Sequence, residues 1–396
     1  MPSEFQRKFS GELQTVLEAL AERKQRRSLA EVAGVNLCSN DYLGLAQHPA
    51  LREALREAIA RATRVGGTAS RLLSGHAAIW DELENEFAEF SGNEAALYFG
   101  SGYAANIGLL TSVARHEDII FSDALNHASL IDGMRLSGAS KCIYAHRDVD
   151  MLEALLREQR GAQGRKLIVT ETVFSMDGDV APLRDILALA ERYGAGVILD
   201  EAHATAVHGP GGRGIAASFA DTGNIVAVVH TCGKALGSAG AFVCGSALLK
   251  EHLINHARSF IFSTALPPYM AEQVGVALRL AQGMDAERAV LRQNAERLCA
   301  ALRAQELDTA GSETQIIPVI LGENEEALSA AKFLQQRGFA VRAIRPPTVA
   351  PGTARLRLSL TTAIAESELT HLAESLQDWR TSQRHGATVG AAAGNS

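Results

Sequence analysis

KLIVTETVFSMDGDVAPLRDILALAERYGAGVILDEAH, residues 166–203, reads as a strand, a loop, a helix and a second strand. Lys166–Thr170 and Ala195–Leu199 are short apolar runs, and over Leu183–Arg192 between them apolar residues recur every three or four positions. A strand that returns through a helix pairs parallel to its predecessor, and helices then cover both faces of the sheet. The alternation continues outward. Ala95–Phe99, Asp118–Phe121 and Lys141–Tyr144 precede the unit, Ile225–Val229 and Ala239–Cys244 follow it, and helical patterns occupy Ala104–Ala114 and Val149–Glu158. This predicts an α/β fold around a mostly parallel sheet of about seven strands.

Beyond Pro267 and Pro268 the pattern becomes a long helical region to about Ala304, then a smaller α+β unit. Its expected strands are Gln315–Leu321, Phe339–Val341 and Leu356–Leu360, and its helices Glu325–Gln336 and Ala365–Leu376. An N-terminal helix over Glu12–Arg27 and a strand at Val35–Cys38 are expected to pack on that unit. The division predicted is an N-terminal segment at 1–45, a large domain at 46–275, a small domain at 276–385 and a disordered tail at 386–396, rich in small residues.

Composition removes several function classes. The 38 basic and 45 acidic residues of the 396 are scattered and leave a net charge of −7, so no basic stripe invites nucleic acid. Five separated cysteines form no C-x-x-C pair, which argues against a zinc site or disulfide framework and for a reducing, cytoplasmic setting. The N-terminus mixes charges early and lacks the apolar run of a signal peptide. Thr222–Leu249 carries a single charge, Lys234, and is long enough to cross a bilayer. Its internal glycines and the β-branched run Ile225–Val229 favour two buried strands around a turn.

That isolated lysine is the first chemical signal. Desolvation lowers an amine's pKa, and a neutral amine can form a Schiff base with an aldehyde. Upstream, Asp200 closes a strand and His203 follows three residues later, which puts a carboxylate and an imidazole at the carboxyl edge of the sheet, where α/β proteins bind ligands. A carboxylate there can keep a pyridine nitrogen protonated. In FGSGYAAN, residues 99–106, a strand runs through small residues into a helix whose N-terminus can face a phosphate. His127, after another strand, can stack on a flat ring. Two rival motifs fail: GPGGRG at 209–214 lacks the strand-to-helix context of a dinucleotide site, and there is no G-x-S-x-G elbow.

Taken together, SNDYLGLA (39–46), ASRLLSGH (69–76), DALNHASLIDG (123–133), ETVFSMDGDVAPL (171–183), DEAHATAVHGPGGRG (200–214), HTCGKALG (230–237), FIFSTALPP (260–268) and RPPTVAPGTARLRLSL (345–360) resemble the α-oxoamine synthases. These are pyridoxal-phosphate enzymes that join an amino acid to an acyl-CoA with loss of carbon dioxide. The resemblance spans about residues 39–376 and implies the fold type I, aspartate aminotransferase-like architecture of pyridoxal-phosphate-dependent transferases, with a large cofactor-binding domain and a smaller C-terminal one. SRL-x-SG, FSMDGD-x-APL and RPPTV-x-x-GTARLRL are most similar to the branch that joins L-alanine to pimeloyl-CoA or its acyl-carrier-protein form in biotin synthesis. The alternative is the branch that joins glycine to acetyl-CoA. A non-catalytic scaffold paralogue is disfavoured by the joint presence of Lys234, Asp200 and His203.

The resemblance also implies roles. Lys234 would hold pyridoxal 5'-phosphate covalently and then move the substrate's α-proton. Asp200 would pair with the pyridine nitrogen, His203 with the ring oxygen, and His127 would stack on the ring and touch substrate. Gly102, Tyr103, Ser175 and Thr231 would help hold the cofactor, with Thr264 reaching its phosphate from the partner subunit of a homodimer. Arg357 would bind the amino-acid carboxylate. Arg26, Arg345 and Thr348 would face the acyl thioester, with Arg27 fitting almost as well as Arg26. No metal is implied.

Overall fold

Burial of alternate residues toward opposite sides shows why the central strands read as unbroken apolar runs. Leu167, Val169, Ile198, Ala227 and Val229 belong to the core on one face, while Ile168, Val197, Leu199 and Val228 belong to the core on the other. The computed structural model of the chain describes residues 2–29, 31 and 33–393. Its strands are β1 (Val35–Asn36), β2 (Ala95–Phe99), β3 (Ile119–Asp123), β4 (Ser140–Tyr144), β5 (Lys166–Glu171) and β6 (Ala195–Asp200). They continue with β7 (Ile225–Thr231), β8 (Ala241–Gly245), β9 (Ile316–Gly322), β10 (Phe339–Ala340), β11 (Ala343–Ile344) and β12 (Ala354–Ser359). Seven of them form one sheet in the order β2-β8-β7-β6-β5-β3-β4. All its pairings are parallel except those of β8, which runs antiparallel to β2 and β7.

The Thr222–Leu249 stretch is thus β7, a turn carrying Lys234, and β8. Among the described residues no helix is long and apolar enough to cross a membrane. The crossover from β5 to β6 is the helix Leu183–Tyr193, which buries Leu183, Ile186, Leu187 and Ala190 and stops at Gly194, whose φ of +63° suits a residue without a Cβ.

The smaller unit holds an antiparallel sheet ordered β11-β12-β9, and the parallel pair β1 and β10 ties the N-terminal segment to it. The expected boundary near residue 275 falls inside the helix Tyr269–Gln282. Two expectations need correcting. The N-terminal helix spans Glu4–Glu22, not Glu12–Arg27, because Ser3 and Gln6 form a reciprocal capping box that starts it early. The closing helix, Glu366–Ala393, runs into the segment assigned to disorder from Gly386, where alanine favours continuing a helix already formed. Residues 394–396 lie outside the described residues.

One polar network braces the sheet's carboxyl edge. His146 sits between Asp123 at the end of β3, 2.9 Å from Nδ1, and Asp179, 2.8 Å from Nε2. Burial opposes charging the imidazole, but the two carboxylates outweigh it and push its pKa up to about 9. Arg147 adds a second cation to Asp179 at 3.0 Å. With a folded pKa above the unfolded one, the stabilisation is complete below about pH 6.5, where a free imidazole titrates, and is lost as pH rises through about 9. Thermal unfolding across pH 6 to 10 is therefore expected to show a steeper alkaline fall for the wild type than for His146→Gln; equal slopes would remove this network from the stability account.

Candidate active site

β5, β6 and β7 end side by side, and their last residues with the following turns bring Glu171, Asp200, Ala202, His203, Thr231 and Lys234 around one cavity of about 270 Å³. The opposite wall comes from Ser101, Gly102, Tyr103 and Asn106, at the start of the helix Gly102–Val113, and from His127 and Ser129 at the start of the helix Ala128–Ser137. Seven of the residues named from sequence thus converge: Gly102, Tyr103, His127, Asp200, His203, Thr231 and Lys234.

The electrostatics favour a neutral amine. Burial pushes Lys234 down to about 8 against the attraction of Asp200 and Glu171, and the charge of Arg357 adds to the depression. Its Nζ lies 3.0 Å from His203 Nε2. Burial, then the charges of Lys234 and Arg357, hold His203 well below its ordinary range, so the ring is neutral. An amine donating to Nε2 leaves the ring proton on Nδ1, an assignment made from the hydrogen-bond network. Nδ1–H then donates to Tyr42 Oη at 2.6 Å, and Tyr42 donates to Asn40 Oδ1 at 3.1 Å. Arg357 Nη1 donates to the same Asn40 oxygen at 3.1 Å, so an unbroken polar chain joins Lys234 to Arg357.

Asp200 is held as an acceptor by the Asn106 side-chain amide at 2.7 Å and the Ala202 N–H at 2.8 Å. Asn106 also donates to Ser129 Oγ at 2.9 Å, which leaves the Ser129 hydroxyl to donate to His127 Nδ1 at 2.7 Å. Burial lowers the His127 pKa against the pull of Asp200, consistent with that acceptor nitrogen. Burial and the neighbouring Asp200 push Glu171 up to about 8, against the pull of Lys234.

These residues fit pyridoxal phosphate. The Asp200 carboxylate suits a protonated ring nitrogen, and Lys234 supplies the amine. The helix starting at Gly102 offers amide N–H groups for a phosphate. A Cβ on Gly102 would lie 2.6 Å from Thr231 Cγ2, so any larger residue would have to displace the Thr231 methyl group. Two buried oxygens on the lining residues, Asn106 Oδ1 and Glu171 Oε1, have no hydrogen-bond partner among the described residues.

The remaining candidates lie elsewhere. Ser175 and Arg357 are half-buried beside the cavity, joined by Arg357 Nε donating to the Ser175 carbonyl at 2.5 Å. Thr264 lines a separate cavity of about 260 Å³ with Arg71 and Phe260, with Ser101 common to the two. Arg26 is exposed, and it is Arg27 whose Nη2 donates to Thr348 Oγ1 at 3.0 Å. Arg345 donates to the Lys24 carbonyl, so Arg27, Arg345 and Thr348 meet at the joint between the N-terminal segment and the 345–348 turn. Sequence reading missed Tyr42, Asn106 and Glu171. Asn106 was signalled by its place one turn beyond Gly102, whereas Glu171 carried no signal of its own, its register opposite Asp200 being set by the sheet.

Residues 32–376 match the aminotransferase class I and II family. The 8-amino-7-oxononanoate synthase of Geobacter sulfurreducens is 47% identical over 378 residues, which covers 92% of this chain and 95% of that protein. The protein of the same name from Methylococcus capsulatus is 46% identical over 345 residues, covering 87% and 88%. Among solved structures, Sphingomonas wittichii serine palmitoyltransferase superposes with a TM-score of 0.87 at 28% identity, over 95% of this chain and 98% of that one. The 8-amino-7-oxononanoate synthase from Francisella tularensis superposes with a TM-score of 0.77 at 28% identity, over 89% and 99%. A single family match across most of the chain, and near-half identity along almost the full length of its relatives, agree with the residues around Lys234: the chain belongs to the aminotransferase class I and II family, among the relatives named 8-amino-7-oxononanoate synthase.

Proposed function

We propose that this protein is a pyridoxal-phosphate-dependent C-acyltransferase that condenses L-alanine with pimeloyl-CoA, or with pimeloyl-acyl carrier protein, to give 8-amino-7-oxononanoate, carbon dioxide and the free thiol in biotin biosynthesis. The observation that carries this reading is the buried pairing of Lys234 with a neutral His203 beside Asp200, in a chain whose near-half-identical relatives bear that name. When bound, pyridoxal phosphate supplies an aldehyde for covalent attachment and a protonated ring that withdraws electrons from the reacting carbon.

The chain's own groups supply the rest. Lys234, with its pKa near 8, is poised to accept the α-proton of alanine and return it. Asp200, fixed by Asn106 and Ala202, keeps a facing nitrogen charged. His203 holds the lysine end in place, and Tyr42 fixes the His203 tautomer. Arg357, oriented by Ser175 and Asn40, offers a guanidinium to the amino-acid carboxylate. Ser175 and Thr231 help to seat the cofactor. Arg27 with Thr348 and Arg345, rather than Arg26, mark the thioester side.

The working unit is a homodimer in the cytoplasm. Thr264 faces a cavity other than that of Lys234 in its own chain, which suits a residue serving the partner's phosphate. Exposed Phe262, two residues before it in sequence, exposed Leu73, and an apolar stripe of Phe5, Phe9, Leu13 and Val16 along the N-terminal helix provide surface to cover.

The direct test pairs alanine, glycine and serine with pimeloyl-CoA and acetyl-CoA while CoA release is followed. Alanine with pimeloyl-CoA is expected to react fastest; a clear preference for glycine with acetyl-CoA would overturn the reading. Lys234→Ala is expected to stay folded, lose the yellow colour of lysine-linked cofactor and lose at least roughly a thousandfold in turnover. Arg357→Lys, which keeps the charge but loses the fork, is expected to raise the KM for alanine by about tenfold or more while the thioester KM stays near wild type.

A further inference from the structure

Residues 173–180 form a tight hairpin that projects from the large domain toward the small one. Val173 and Val180 pair across its base, and the Phe174 N–H donates to the Asp179 carbonyl at 3.0 Å. His146 anchors Asp179, so the base is held by the large domain. The tip meets small-domain groups at nearly every residue. The carbonyl of Gly178 accepts from Thr314 Oγ1 at 2.8 Å and from the Glu313 N–H at 3.2 Å. Gly178 has φ of +67°, and a Cβ there would lie 1.8 Å from the Ile316 carbonyl oxygen, so the contact admits only glycine.

Two arginines on β12 grip the same tip. Arg355 and Arg357 are two residues apart on a strand and therefore project from one face. Arg355 Nη1 pairs with Asp177 Oδ1, with both side chains buried, and Arg355 Nε is fixed on the Thr353 carbonyl at 3.0 Å. Arg357 Nε takes the carbonyl of Ser175, two residues before Asp177. A buried ion pair broken on one side leaves an uncompensated charge, so this one resists opening.

Resting on the carboxylate role proposed for Arg357, we infer that the Asp177–Arg355 pair is a positioning device for substrate binding. It pins the hairpin tip against β12, and the pinned Ser175 carbonyl sets the direction of the Arg357 guanidinium. The amino-acid carboxylate then meets a fork already aimed, and the seam between the domains and the carboxylate site are one structure.

The holoenzyme tests this with Asp177→Asn, Arg355→Met and Arg355→Lys, alone and combined with Arg357→Lys. L-Alanine affinity is read at equilibrium from the change in cofactor absorbance, and KM and kcat from CoA release. The expectation is that Asp177→Asn and Arg355→Met weaken alanine binding about tenfold, with kcat and the thioester KM within about twofold of wild type, and that Arg355→Lys recovers part of the loss. In the Arg357→Lys background, Asp177→Asn is expected to add less than about twofold, because its effect passes through Arg357. Full additivity with Arg357→Lys, or a fall in kcat with alanine binding unchanged, would overturn the inference. If Arg357→Lys alone leaves alanine binding intact, it is the carboxylate assignment that fails, and the two failures are told apart by that single variant.

Discussion

An amine held out of water beside a neutral imidazole is the constraint around which the active site is built. The Lys234–His203 contact at 3.0 Å is tenable because burial lowers the charge on both partners, while Asp200 and Glu171 prevent the lysine from losing its proton too readily. The result is an amine near the middle of its titration at neutral to mildly alkaline pH, able to act as nucleophile or base. Such balance needs three strand ends at one height. The parallel registers of β5, β6 and β7 supply them, with Glu171 opposite Asp200 and Asp200 opposite Val229, two residues before the end of β7.

From that centre, polar order runs outward in two directions. Through Tyr42 and Asn40 it reaches Arg357 on the small domain, so the Lys234 amine and the Arg357 guanidinium share one network. Through Asn106 and Ser129 it reaches His127, whose ring is fixed in a neutral tautomer by two donors on the same nitrogen. Fixing orientation before a ligand arrives reduces what binding must organise. The hairpin 173–180 extends the same logic to the domain seam, with Gly178 allowing the close approach and Arg355 and Arg357 gripping side by side.

Much of this was legible in the residues themselves. Apolar runs of five or six separated by amphipathic helices favour a mostly parallel sheet, because the helical crossovers cover both of its faces. A lone lysine among apolar and glycine residues marks a desolvated amine, and Asp200 and His203 at a strand end mark the ligand edge. The departures have local causes. The Ser3–Gln6 capping box moved the N-terminal helix forward by a full eight residues, and the choice between Arg26 and Arg27 stayed open because adjacent arginines are equivalent until the backbone turns one of them toward Thr348. Glu171 was unmarked because a strand-end acid is ordinary until its neighbour in the sheet is known to be Asp200.

The amino-acid sequence by itself determined the strand–helix alternation, the buried position of Lys234 and the chemistry available around it, since these follow from local hydrophobic periodicity and residue type. Only the tertiary structure decided which distant side chains share a hydrogen bond. Tyr42 lies 161 positions from His203 and Asn40 lies 317 from Arg357, separations across which periodicity carries no information. Their meeting depends on the order of strands in the sheet and the docking of β12 against the hairpin, and so does the direction in which Arg357 points.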